Sequence, residues 1–210
     1  MNKTFKIYKT NIIVFSLLVF LCGSKLVTAQ NDPGELIQSV QEKFNALTDL
    51  SANFTQSVNG STNLTGKVFY KKNNKIRFEL TKILIVSDGV TNWNYNKKEN
   101  KVIISSYDEE DAGLLSIERI IFEYPEECEL STYMVENQEI LMLLPQTSTF
   151  SFNSVKLWIN DDNLISWVLI DDPAAGLVQI DLTNYSVDEN LPDSKFTFTP
   201  PEGSKVIDLR

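Results

Sequence analysis

The sequence has no histidine and only two cysteines, and this shortage excludes several kinds of active site. Serine–histidine–aspartate triads and cysteine–histidine pairs both need an imidazole as general base. Cys22 lies in an apolar run near the N-terminus, so Cys128 has no internal disulfide partner, and we expect it to be buried and unreactive. Zinc sites are built mainly from histidine and cysteine, so we also expect no bound metal.

Glycine-rich phosphate-binding loops are absent as well. Gly60 and Gly66 precede Lys67 in a way that superficially matches a P-loop, but five residues separate the glycines where the motif has four. Val68 stands where the motif needs serine or threonine. No G-x-G-x-x-G motif occurs either, and we therefore expect no cofactor.

Positive charge is also in short supply, with 19 Lys and Arg against 28 Asp and Glu, so we exclude nucleic acid as a partner. The carboxylates are numerous enough to provide a glycosidase-type pair. However, the acidic stretches at residues 108–111, 161–162 and 171–172 have the pattern of caps and turns, where aspartate bonds to nearby backbone. We predict that the chain is not an enzyme, with a carboxylate-based envelope hydrolase as a remote alternative.

The N-terminus has the pattern of a secretory signal peptide. Three lysines within the first nine residues precede an apolar run over residues 12–22, and the small-residue site Val27-Thr28-Ala29 follows. The run is about half of the ~20 residues that a membrane-spanning helix needs. We expect cleavage after Ala29, which leaves residues 30–210 as one exported domain. Four basic residues and no acidic residue precede that site, so the net charge falls from −9 to about −13.

A lipid anchor on Cys22 is the alternative fate of this leader. The preceding residue is Leu21, whereas lipoprotein processing prefers a small side chain there. The two possibilities lead to different N-termini, an acylated Cys22 or a free Gln30.

An amphipathic helix of about 15 residues is predicted directly after the leader. Asp32 is a good N-cap, Pro33 suits the first helical position, and Glu35 completes a capping-box pattern. The apolar residues that follow have helical spacing and must cover another apolar surface. They are Leu36, Ile37, Val40, Phe44 and Leu47.

From residue 50 the apolar period changes to two, and two turn signals predict β-hairpins. Asn73-Asn74 suits a two-residue turn, which would pair Phe69 with Phe78 and place Arg77 on the face of Tyr70. Asp88-Gly89 is the second turn. It would place five side chains on one drier face, namely Leu84, Val86, Thr91, Trp93 and Tyr95.

The rest of the chain predicts a short second helix over residues 113–122, limited by Pro125, and further strands. These strands cover residues 140–144, 155–159, 165–170, 177–182 and 195–199. Their short connections favour an antiparallel meander, and the fold class is α+β, with one large sheet and helices on one side.

Four segments in this order resemble the LolA-type periplasmic carriers of outer-membrane lipoproteins. They are SANFTQ at residues 51–56, GKVFYKK at 66–72, IVSDG at 85–89 with Trp93 and Tyr95 behind it, and KFTFTPPEG at 195–203. The resemblance implies an incomplete, half-open antiparallel β-barrel around an apolar cavity, covered by a helical lid.

This resemblance also implies partners. The carrier would accept acylated lipoproteins from an inner-membrane ABC transporter and deliver them to an outer-membrane acceptor, and we expect it to act as a monomer without covalent chemistry. An anchored receptor, or a carrier of another lipid in the same fold, is the alternative.

The resemblance further implies two sets of site residues. The candidates for lining the cavity are Tyr70, Phe78, Leu84, Val86, Trp93, Tyr95, Trp158 and Trp167. The candidates for holding the lid are Lys72, Arg77, Leu114 and Leu115. In the family an arginine followed by proline latches the lid, and here that position is Lys72-Asn73, without the bidentate fork of arginine. Alternatively, Trp93 and Tyr95 fill an ordinary core, and Arg77 pairs with Glu79.

Overall fold

A computed structural model describes residues 31–107, 118–136, 138–148 and 150–210. Helix α1 spans Pro33–Ala46, and its N-cap is Asp32, whose side chain accepts hydrogen bonds from the Gly34 and Glu35 amides at 2.8 and 3.2 Å. The strands are β1 (Asp49–Val58), β2 (Ser61–Lys71), β3 (Lys75–Leu80), β4 (Ile83–Asp88), β5 (Thr91–Asn96), β6 (Lys101–Ser106), β7 (Cys128–Val135), β8 (Gln138–Pro145), β9 (Ser154–Ile159), β10 (Ile165–Asp172), β11 (Gly176–Val187) and β12 (Lys205–Asp208).

All twelve described strands form one sheet in the order β12-β6-β5-β4-β3-β2-β1-β11-β10-β9-β8-β7. Every neighbouring pair is antiparallel except β12 and β6, which are parallel. Within the described residues β7 and β12 each pair on one side only, so the sheet stays open. The open antiparallel sheet with few helices confirms the predicted fold class.

Helix α1 lies across one face of the sheet, which we call the inner face; the opposite one is the outer face. Ile37, Val40 and Phe44 of α1 are buried in the main core together with strand residues such as Phe54 and Leu157. The Phe44 ring packs against Tyr70 of β2, with ring centroids 4.8 Å apart. The predicted helix and its apolar stripe are therefore confirmed. None of the described helices is long and apolar enough to cross a membrane.

A second helical segment joins β6 to β7, as the sequence predicts for part of this region. A π-helical turn, Arg119–Glu123, leads into the short helix α2, Tyr124–Glu127. The Tyr124 amide bonds to the Arg119 carbonyl, and this wide turn precedes Pro125, whose nitrogen has no hydrogen to donate. Pro125 is tolerated near the start of α2, so helical backbone continues to Glu127.

The outer face of the β2–β6 region is covered by the C-terminal part of the chain. Phe196 is fully buried, and the Lys195 ammonium lies 3.5 Å from the centroid of the Phe69 ring. The Asp193 carboxylate forms ion pairs with the ammonium groups of Lys71, at 2.6 Å, and Lys75, at 3.0 Å. The predicted strand over residues 195–199 is wrong, because this segment is a 3-10 turn followed by unpaired extended backbone.

The β2–β3 hairpin has a different register from the predicted one. Asn73 and Asn74 have the expected positive φ, but Lys72 also belongs to the loop, so Lys71 pairs with Lys75. This one-residue shift pairs Phe69 with Arg77 and moves Arg77 to the face opposite Tyr70.

The β4–β5 hairpin keeps its predicted faces, although its loop lies one residue later than the predicted turn. Gly89 and Val90 form the loop, so Val86 lies opposite Trp93 and Leu84 opposite Tyr95. A shift of two residues leaves each side chain on the same face.

Candidate functional site

A recess of about 280 Å³ lies on the inner face of strands β3 to β6. Its walls combine aliphatic and aromatic side chains with amides and hydroxyls. They are formed by Ile76, Phe78, Ile85, Ser87, Asn92, Trp93, Asn94, Ile103, Ser105 and Tyr107. The recess adjoins the core under α1, because Ile76 and Ile85 also pack against that core. It therefore offers apolar surface next to polar side chains.

The strand register arranges these side chains in two rows that run across the strands. Ser87, Asn92 and Ser105 are direct register partners on β4, β5 and β6. We call them the polar row. Ile85, Asn94 and Ile103 are partners in the next row, and Phe78 of β3 extends that row. We call Phe78, Ile85, Asn94 and Ile103 the mixed row.

Two of the predicted cavity residues lie on the inner face. Phe78 lines the recess and is buried in the main core. Tyr70 lies farther along β2, where its ring meets Phe44 of α1. The structure thus places both side chains under or beside the helix.

The other four candidates, Leu84, Val86, Trp93 and Tyr95, share the outer side of the β4–β5 hairpin by strand register, but Trp93 also lines the recess. Leu84 and Val86 are buried outside the main core, and Trp93 is paired with Val86 and Ile104. Leu84, Val86 and Tyr95 belong to the core on the face that the C-terminal segment covers. In that core the Tyr95 ring lies 5.6 Å from the ring of Phe198.

Trp158 and Trp167 also lie away from the recess. They are register partners on β9 and β10 with ring centroids 3.9 Å apart. Their sequence neighbours Leu157 and Val168 point into the main core, so the two indoles lie on the outer face. The structure therefore does not bring this pair together with the recess.

A second cleft, of about 450 Å³, lies where the end of α1 meets the β2–β3 loop and the helical segment. The Tyr70 hydroxyl donates a hydrogen bond to Glu118 at 2.9 Å, which joins the sheet to that segment. On the other wall Arg119 Nε and Glu123 Oε2 form an ion pair at 2.5 Å. The cleft is lined by Phe44, Asn45, Tyr70, Lys72, Asn73, Glu118, Arg119, Phe122 and Glu123.

The protonation of these groups follows from their surroundings. Burial, and then the neighbouring Glu118 carboxylate, raise the pKa of Tyr70 well above its usual range, so its hydroxyl remains a hydrogen-bond donor. The hydrogen bonds from Arg119 lower the pKa of Glu123. The cleft therefore contains the charged pair of Arg119 and Glu123 and the neutral hydroxyl of Tyr70, which donates a hydrogen bond.

The latch candidates fall in different places. Lys72 lines the cleft beside Glu118 and Glu123. Arg77 lies on the outer face, where its Nε bonds to Glu79 at 2.6 Å and its Nη1 donates to the Lys195 carbonyl at 3.1 Å, so it braces the C-terminal segment. Leu114 and Leu115 lie outside the described residues.

Cys128 is partly buried at the start of β7. Burial, together with the nearby Glu127 carboxylate, raises the pKa of its thiol to about 11. A thiol with this pKa stays protonated at neutral pH and is a poor nucleophile. Cys128 therefore offers little reactive chemistry.

Sequence reasoning missed most of the recess. Ile85, Asn92 and Asn94 alternate with the aromatic set along β4 and β5, so the period of two places them on one face, and Ile103 of β6 joins them through its pairing with Asn94. The family resemblance instead implies that the aromatic face lines the cavity. The sequence does not indicate that the distant C-terminal segment covers the aromatic face.

Comparisons with known proteins agree with this architecture. The family model described as outer membrane lipoprotein carrier protein LolA matches residues 45–199. An outer-membrane lipoprotein carrier protein of Shewanella loihica is 25% identical over 90% of this chain and 94% of its own length. An uncharacterized protein of Methanocaldococcus jannaschii is 26% identical over 95% of this chain, which spans only 61% of that relative.

Among solved structures, an uncharacterized conserved protein from Thermus thermophilus has a similar fold. It gives a TM-score of 0.57 at 14% identity, over 83% of this chain and 98% of the other. The LolA match covers well over half of the sequence and includes every residue of the recess. The chain belongs to the LolA family of outer membrane lipoprotein carrier proteins.

Proposed function

We propose that the chain is a periplasmic carrier that binds the acyl chains of lipoproteins released from the inner membrane and takes them to the outer membrane. The observation that carries this proposal is the recess on the inner face, which offers Ile76, Phe78, Ile85 and Ile103 in a LolA-family chain. No step of this task makes or breaks a covalent bond, so the chain acts without catalysis.

The physical need for such a recess comes from the cost of hydrating a lipid. Each exposed CH₂ group of an acyl chain costs about 0.8 kcal/mol, so one long chain represents on the order of 10 kcal/mol. Contact with several half-buried aliphatic side chains on a sheet face can replace the water around the acyl chain. Ile76, Ile85 and Ile103 are each partly buried, so part of their apolar surface is accessible to an acyl chain.

The cleft beside α1 suits a role in loading and release. Tyr70 and Glu118 link the sheet to the helical segment through one hydrogen bond, and Lys72 adds a positive charge near Glu118 and Glu123. We assign Lys72 and Tyr70 to the latch, which opens when cargo is received from an inner-membrane ABC transporter. Release then occurs at an outer-membrane acceptor, and the carrier works as a monomer.

The test is binding of a purified lipoprotein in its acylated and non-acylated forms, without detergent, followed by size-exclusion chromatography. We expect a soluble one-to-one complex with the acylated form only. A complex with both forms would show that the chain recognises the polypeptide instead of the lipid. Failure to bind either form, together with failure to take up a free lipid, would refute the carrier function.

A matched pair of variants separates the recess from the rest of the surface. Ile85→Asp places a charge in the recess, while Leu177→Asp places one on an exposed side chain at the start of β11. We expect the first to abolish the complex and the second to leave it unchanged. Equal complex formation by both folded variants would remove the recess from the proposal.

A further inference from the structure

The recess has a polar component that hydrocarbon binding does not explain. Asn92 and Asn94 project from the same strand into the same recess, and Ser105 lies beside Asn92 on β6. Trp93 and Tyr95 alternate with these asparagines along β5, and the Tyr95 ring packs on Phe198 of the C-terminal segment. Strand β5 therefore presents two amide side chains to the recess.

These polar side chains are available to a ligand. Asn92 and Asn94 make no side-chain hydrogen bond within the described part of the chain, and the same is true of Ser105. Asn94 is exposed, and Asn92 and Ser105 are partly exposed. Ser87 is already engaged, since its hydroxyl accepts a hydrogen bond from the Gly89 amide at 3.1 Å.

The register sets the spacing of the available donors. Asn92 and Asn94 are two residues apart on one strand, which separates them by roughly 7 Å, and Ser105 lies one strand away from Asn92, about 5 Å. Ile85 and Ile103 flank Asn94 in the mixed row. A ligand that fills the recess thus meets hydrogen-bond donors and aliphatic side chains within a few ångströms of one another.

A purely hydrocarbon ligand would be a poor match for this surface. Covering Asn92 with methylene groups would remove its amide from water without providing a partner, which is unfavourable. A group with carbonyl oxygens next to an alkyl chain would satisfy both parts of the recess. The ester and amide linkages of acylated glycerol and acylated amines have this composition.

We propose that Asn92 and Asn94, assisted by Ser105, donate hydrogen bonds to the carbonyl oxygens that join acyl chains to their head group. The inference rests on the proposed carrier function and makes these side chains specificity determinants for ester- or amide-linked lipids. The aliphatic side chains around them then hold the first part of each acyl chain. The polar junction of the lipid, and not only its tail, is recognised.

The experiment compares monopalmitoyl glycerol with glycerol hexadecyl ether, which have alkyl chains of equal length but differ in the ester carbonyl. Affinity is measured by displacement of a polarity-sensitive fluorescent fatty acid from the purified protein. We expect the ester to bind about five- to tenfold more tightly than the ether, as one or two neutral hydrogen bonds would give.

Variants locate the origin of this preference. Asn92→Leu and Asn94→Leu should each reduce the ester-to-ether ratio towards one, with an unchanged or higher affinity for the ether. Asn53→Leu on β1 is the matched control, because its neighbours Ala52 and Phe54 point into the main core and Asn53 therefore points outward. We expect it to keep the full preference. Thermal unfolding of each variant checks that it is folded.

The outcomes separate this inference from the carrier function. Equal affinity of the native protein for ester and ether would overturn the inference while leaving the carrier function intact. A preference that survives in both folded asparagine variants would overturn it too. Binding of neither glyceride and of no acylated lipoprotein would refute the carrier function, and the inference with it.

Discussion

The hydroxyl of Tyr70 and the carboxylate of Glu118 are joined by a hydrogen bond of 2.9 Å between β2 and the helical segment. Tyr70 belongs to the strand that ends at Lys71, and its ring also packs on Phe44 of α1. One side chain thus contacts the sheet, the first helix and the second helical segment. This arrangement makes Tyr70 a natural place to test how the helices are held over the inner face.

Tyr70→Phe should loosen the helical segment without disrupting the sheet. The ring and its packing on Phe44 remain, while the hydrogen bond to a carboxylate is lost, which should lower the free energy of unfolding by about 1–2 kcal/mol. Urea denaturation measures the loss, and hydrogen exchange should rise at residues 118–127. Tyr133→Phe on β7 is the control, and unchanged exchange in Tyr70→Phe would contradict the link.

Alkaline pH should destabilise the fold through its buried tyrosines. The Tyr185 hydroxyl donates to the Ile165 carbonyl, and burial raises its pKa above the usual 10.0, as it does for Tyr70. A raised folded-state pKa contributes stability that is complete below pH 10.0 and is lost as the pH rises towards the folded value. Urea denaturation between about pH 9 and pH 12 should show this fall.

The Tyr185→Phe variant tests the cause of that fall. Its free energy of unfolding should depend less steeply on pH above 10.0 than that of the native protein. Parallel pH profiles of the two proteins would show that other groups dominate the alkaline transition.

Gly66→Ala should be strongly destabilising although Gly66 lies within a regular strand. A Cβ atom at this position would stand 2.0 Å from the backbone carbonyl oxygen of Glu79 on β3. Relieving that clash requires the two strands to separate, and we expect a loss of about 2–3 kcal/mol in denaturant unfolding. Gly60, in the β1–β2 turn with φ +77° and open space, is the comparison. Gly60→Asn should cost less than about 1 kcal/mol, and equal losses would argue against the clash.

Phe196→Ala should separate stability from lipid binding. Phe196 is fully buried beneath the outer face, and its removal should cost about 3–5 kcal/mol. The folded fraction should bind an acyl probe with native affinity, because the recess lies on the other side of the sheet. Phe196→Leu, which keeps most of the volume, serves as a milder variant. A large loss of affinity in folded Phe196→Leu would show that the two faces are coupled.

Local features of the fold could be predicted from the sequence because their causes are local. Asp32 caps α1 with its own side chain, and Asn73 and Asn74 take the positive φ that asparagine tolerates. The period of two also separated the side chains of β4 and β5 into their true faces. Each of these predictions depends on residues within a few positions of one another.

The inner and outer faces could not be told apart in this way. Leu84 and Tyr95 are cavity candidates by the family resemblance, yet they lie on the outer face, where the Tyr95 ring meets Phe198, about a hundred residues later in the chain. The two-residue period of a strand shows which side chains share a face of the sheet, but not which segment covers that face. The predicted register of β2–β3 is wrong because Asn73-Asn74 indicates where the turn lies but not that Lys72 also belongs to the loop, which pairs Lys71 with Lys75.

The most direct measurement is photocrosslinking with an acyl chain that carries a diazirine, mapped by mass spectrometry of the protein. The account predicts crosslinks to the inner-face residues Ile76, Ile85 and Ile103, and their loss when unlabelled acylated lipoprotein competes. Crosslinks confined to Tyr95, Trp158 or Trp167 would place the lipid on the outer face and contradict the account.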